Sequence, residues 1–248
     1  MRLGMLLGLA LIQTVTLLLA PRIPQPPDYV AWADHRTWLG IPNAGDVLSN
    51  SGFLLVGLLG LWNLARGACR CDVPGERAAW SLFFLGMLYL ALASSYFHWQ
   101  PDPAGLALDR LGIAHSFVVL LAAVLIERVH AVAGKRLLPV LVVLGMAGVG
   151  HWYWSFLQGA EDLRLYILVQ VLPATLLLAS LLAFKPRYNR GGDYLTALLI
   201  YGLAVAADQL DQQILEWTGL LSGHAVKHLL TALAAYWLLR MLRRRQPV

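Results

Sequence analysis

The sequence predicts an all-α protein: a polytopic transmembrane helical bundle with a seven-helix core and one extra N-terminal helix. Three observations carry that prediction. Only 13% of the 248 residues are charged and 58% are hydrophobic, against about 25% and about 45–50% in soluble domains. The apolar residues gather into eight runs, each close to the roughly 20 residues that cross a bilayer. Lys and Arg concentrate in every second segment between those runs, which is the positive-inside pattern.

The runs, in order, are about 3–20, 46–65, 78–98, 109–126, 137–157, 164–184, 194–215 and 223–242. The first follows Met1-Arg2 and ends at Pro21, so it reads as a retained anchor or a signal-like segment. Residues 1–28 thus form an anchor and a Pro-rich connector, 29–243 a seven-span domain, and 244–248 a basic cytoplasmic tail. The runs are too long for barrel strands and lack their alternation. Placing the N-terminus in the cytoplasm puts 14 of the 19 basic residues on that side, among them Arg2, Arg70, Arg136, Arg190 and Arg245. Both termini are then cytoplasmic. The charge of +5 is a topology signal and gives no ground for a nucleic-acid partner. Cys69 and Cys71 sit one residue apart, too close for an unstrained disulfide, and read as free thiols.

Ionisable side chains are costly inside a bilayer, by about 2.5–3.5 kcal/mol each on insertion scales, so those present point to function. Ser94 and His98 are one helical turn apart near the end of the third run, and Asp109 opens the fourth. His224 and His228 are a second one-turn pair at the start of the eighth. Residues four apart share a helix face, and all five fall at the non-cytoplasmic ends of their helices. Three histidines with an open fourth position form a frequent catalytic zinc arrangement. Residue 225 is Ala, so this is not the His-Glu-x-x-His protease motif, and any base comes from elsewhere, with Asp109 the candidate. Asp208 and Asp211, in the outer half of the seventh run, are candidates to orient a ligand histidine or to pair with Arg110 or Lys227. His115, Gln170 and His151 are candidate cavity residues, and Gly223 a packing glycine. Haem ligation and an intramembrane transport site are rival readings of the same histidines.

In that order, Ser94-x-x-x-His98, Asp109 and His224-x-x-x-His228 resemble the signature of the alkaline ceramidases. These belong to a superfamily of seven-span membrane hydrolases that also includes progestin and adiponectin receptors and Per1-type proteins. Asp46-Val47-Leu48-Ser49-Asn50 is similar to a further segment of that family. The resemblance covers roughly residues 29–243. It implies Zn²⁺ on His98, His224 and His228, Asp109 as acid–base, Ser94 as oxyanion donor, and hydrolysis of a ceramide-like or other N-acyl lipid that reaches the site laterally from the membrane. A receptor-like or lipid-binding protein with the same zinc site and no turnover is the alternative. The family's calcium site would fall on Asp34, Asn43 and Asp46, but the region is poor in carboxylates and contains Arg36, which argues against Ca²⁺. The short loops suggest a bacterial inner membrane.

Overall fold

The computed structural model describes all 248 residues, and all of its regular elements are helical. Its elements are α1 (Arg2–Leu19), α2 (Ala44–Ser49), α3 (Ser51–Ala65), α4 (Glu76–Trp99), α5 (Pro103–Val124), α6 (Ala131–Leu157), α7 (Arg164–Ala183), α8 (Gly192–Gln209), α9 (Asp211–Thr218) and α10 (Gly223–Arg244). There is no strand, only the isolated bridges Trp38–Ile41 and Tyr188–Pro247. Helices α2 and α3 meet at Asn50, whose backbone is itself α-helical, and together make one 22-residue span, Ala44–Ala65. Past Val124, α5 continues through a π-helical turn, Leu125–Val129.

Seven spans are long and apolar enough to cross a membrane, against eight predicted. The exception is α8, which has Asp193 in its first turn and Asp208 and Gln209 at its end. The predicted run of 194–215 stops at Gln209 because Leu210 leaves helical geometry and the chain restarts as α9. Even so, α8 packs more extensively on α10 than any other pair of helices in the molecule.

Neighbours around the bundle run α8, α10, α3, α4, α5, and α5 then carries both α6 and α7. Helix α1 lies outside, against α7, where Arg164 donates to the Leu18 and Ala20 carbonyls at 3.0 and 2.6 Å. Helices α7 and α8 are consecutive in sequence but do not pack closely. The core is centred on Trp80, Phe83 and Phe84 of α4, and Phe84 covers Gly60 so tightly that any side chain there would overlap its ring. Many outward residues are large and apolar, Leu7, Leu55, Leu92, Val143, Leu182 and Leu199 among them. That is the surface a lipid-facing bundle presents.

One end of the bundle is closed by an ion-pair hub absent from the sequence reading. Arg245 is not part of a free basic tail: it is 1% exposed. It pairs with Glu127 at 2.8 Å and Glu76 at 3.4 Å, and stacks on Tyr188 at 3.9 Å. Tyr188 and Tyr194 donate to the same two carboxylates at 2.8 and 2.7 Å. Buried charges are tolerated when paired and hydrogen-bonded in this way. The hub ties α4, α5, α8 and the end of α10 at the pole opposite the histidines.

Candidate metal centre

His98 lies in the last turn of α4, and His224 and His228 lie in the first two turns of α10. The start of α10 is fixed by three contacts. The Ser222 hydroxyl accepts from Ala225 N at 2.9 Å and donates to Asp46 Oδ1 at 2.9 Å. Asp211 Oδ1 accepts from His224 N at 2.7 Å. Gly223 fits between Ala207 O and the Asp211 backbone, where a Cβ would collide with both. The packing role read for this glycine therefore holds. Gly223→Ala is expected to cost about 1–3 kcal/mol through overpacking, measured as a lowered melting temperature in detergent.

The three imidazoles converge from two helices. Each offers a ring nitrogen within 4.8 Å of the others, forming a buried group able to hold a metal ion. His98 Nε2 and His224 Nε2 are 3.2 Å apart. Two nitrogens sharing one tetrahedral ion at about 2.0–2.1 Å lie about 3.3 Å from each other, so the donor set fits. The same spacing leaves no room for a porphyrin plane between them, so these two are not placed as paired axial ligands of a haem.

Polar partners hold two of the rings, while His98 Nδ1 is buried with none. His224 Nδ1 meets Asp208 Oδ1 at 2.8 Å. His228 Nδ1 meets Ser49 Oγ at 2.9 Å and Asp46 O at 3.2 Å. Ser49 Oγ itself donates to Asp46 O, so both acceptors around His228 favour a proton on Nδ1. A proton on His228 Nδ1 leaves its Nε2 free as a metal donor; at His224 Nδ1 the Asp208 carboxylate at 2.8 Å, an acceptor, competes with Lys227 Nζ at 3.1 Å, a donor. Asp208 also pairs with Lys227 Nζ at 3.0 Å, one of the two cations considered for it from sequence. Arg110, the other, pairs with no carboxylate. Asp208→Asn is expected to weaken metal affinity about 10–100-fold, as is usual for partners that orient a ligand histidine; competition with a chromogenic chelator measures it.

Trp32 covers the site, with its ring centroid 4.4 Å from that of His98 and 5.9 Å from that of His224. Its segment is pinned by Ala33 N donating to Asp211 Oδ2 at 2.8 Å and by the Arg36–Asp34 pair at 2.8 Å. Burial pushes the Asp34 carboxyl up, but hydrogen bonds and charge from Arg36 outweigh it and hold the group below its ordinary value. Nothing in the sequence singled out Trp32, which lies far along the chain from the histidines it touches; Ser49 was read only as part of the Asp46–Asn50 segment, and Ser222 only as the residue that opens the last run.

A largely apolar cavity of about 440 Å³ opens beside the histidines. Ser94 and Asp109 both line it, buried, with the Ser94 hydroxyl facing the Asp109 carboxyl. Gln170 lines it as expected. His115 does not: its Nε2 bonds to Leu82 O at 2.9 Å, so it ties α5 to α4. His151 is likewise outside, against Trp154. Asp211 is not in the outer half of a span and touches no imidazole; it anchors two backbone amides from the start of α9. Asp34, Asn43 and Asp46 are each engaged by protein. Asp34 holds Arg36, Asn43 Nδ2 donates to His98 O at 2.8 Å, and Asp46 Oδ1 accepts from Ser222. These contacts brace the three-histidine group, and Asp46 Oδ2 is left buried without a partner.

No protein-family model matches the chain, and no curated protein matches it.

Proposed function

We propose that this protein is a zinc-dependent hydrolase that cleaves the amide bond of an acyl lipid within the membrane, in the manner implied by its resemblance to the alkaline ceramidases. The observation that carries the reading is the convergence of three imidazole nitrogens beside an apolar cavity also lined by Asp109 and Ser94. His98, His224 and His228 would hold a zinc ion, which would supply a water acidified toward a pKa of about 7 and a Lewis acid for the carbonyl. Asp109 takes the proton of the attacking water and passes it to the leaving nitrogen as the C–N bond breaks, giving a fatty acid and an amine. Ser94 donates a hydrogen bond to the carbonyl oxygen as that atom gains negative charge. The apolar walls hold the acyl chain; α7 and α8 both line the cavity and pack little on each other, which makes the seam between them the proposed lateral entrance.

Helix directions support the topology. The basic residues of the segments 66–77, 128–136, 185–190 and 240–245 lie at the pole away from the histidines. By the positive-inside rule that pole is cytoplasmic, with both termini there and the site on the far side of a bacterial inner membrane.

The test is fatty-acid release from N-acyl lipids by the purified protein in lipid nanodiscs, followed by mass spectrometry. The hydrolase reading expects release that stops on chelation and returns with zinc. Stoichiometric metal without release from any amide or ester lipid would make the protein a zinc-containing binder or receptor.

A further inference from the structure

Every other buried arginine in the molecule has a carboxylate. Arg245 has Glu76 and Glu127, and Arg128 has Glu127. Arg110 has none, although it is 1% exposed, lies in a membrane-spanning helix and lines the cavity. Its guanidinium sits in an aromatic cage, 4.0 Å from the Trp152 ring centroid, 4.7 Å from Tyr166 and 5.0 Å from Tyr29. Gln25 accepts from Nη2. Nε and Nη1 are buried with no hydrogen-bond partner.

A guanidinium carries five N–H donors in a planar fork that suits the two oxygens of a carboxylate or the edge of a phosphate. The ring faces of the cage favour the cation but accept none of these in-plane N–H groups. Asp109, the neighbouring residue, does not pair with it, because successive helical residues diverge by about 100°. The result is a charged fork set among three rings with two nitrogens, and the three N–H donors they carry, unspent, on the wall of the same cavity that carries Asp109 and the histidines. A neutral head group would leave that charge unanswered.

We infer that Arg110 is the receptor for an anionic group on the ligand, so that the acyl lipid cleaved carries a carboxylate or phosphate on its amine side. The inference rests on the hydrolase reading for the word cleaved, but the anion site itself does not. It favours N-acyl amino acids or phosphate-headed N-acyl lipids over neutral amino-alcohol amides.

The test compares N-dodecanoylglycine with the neutral N-dodecanoylethanolamine on the zinc-loaded protein in nanodiscs. Binding is followed by tryptophan fluorescence, and dodecanoate release is measured in parallel. The wild type is expected to bind the acid at least about tenfold more tightly, the effect of one charge-assisted bidentate contact. Arg110→Gln should erase the difference and Arg110→Lys restore part of it, both with unchanged zinc content. Equal affinity of the wild type for the two amides overturns the inference, whether or not the variants fold. Inorganic phosphate that displaces the acyl glycine at comparable concentration would overturn a lipid source for the anion. Release from both amides with no preference would leave the hydrolase and remove the anion site. Charge preference in binding with no release from either would do the reverse.

Discussion

His228→Ala is expected to empty the metal centre, lowering zinc from about one per chain to a trace by elemental analysis. His228 is the ligand whose loss cannot be repaired locally. It is buried, and Ser49 and the Asp46 carbonyl fix its Nδ1. None of the hydroxyl and carbonyl groups around it has the basicity of an imidazole. Two histidines then remain from a set of three, and two protein ligands do not make a catalytic zinc site. His224→Ala should behave alike. The fold should survive both changes, because α10 is anchored by Ser222 at one end and by Arg245 beyond the other. Retained helical circular dichroism is the control. Stoichiometric zinc in either variant would mean that the three nitrogens are not the ligands.

Asp109→Asn should separate chemistry from metal binding. Asp109 shares the cavity wall with Ser94 but is outside the three-histidine group, so zinc content should stay at the wild-type level. An amide of the same size cannot take a proton from water or return it to a nitrogen. Turnover is therefore expected to fall about 10²–10⁴-fold, the usual contribution of a positioned acid–base group. A variant that loses its zinc would make Asp109 a ligand. One that keeps its full rate would move the proton-transfer role to another residue, with Asp208 next to be tried.

Much of the bundle was legible in the sequence because its signals are local. Apolar runs and alternating basic segments report each helix without reference to the others. The histidine pair at 224 and 228, and Ser94 with His98, are visible because one turn brings them to one face. The end of α8 was not legible: 194–215 reads as one run, and only the demand of His224 N and Ala33 N for the Asp211 carboxylate shows why the chain turns at Leu210. Arg245 was misread for a related reason. Three consecutive arginines look like a solvated tail, and the carboxylates that bury the third lie 118 and 169 positions away in the chain. The cage around Arg110 draws on the connector before α2 and on α6 and α7. No pattern within one helix encodes such a contact.

On the proposed lateral route between α7 and α8, substrate concentration takes on a different meaning. A cavity that opens to hydrocarbon samples only molecules already dissolved in the leaflet, so the quantity that saturates it is a mole fraction in two dimensions. Adding inert lipid at fixed bulk substrate then slows the reaction as an inhibitor would, although nothing competes for the site. Two preparations with the same bulk substrate and protein concentrations but different amounts of lipid would report different apparent affinities for the same centre.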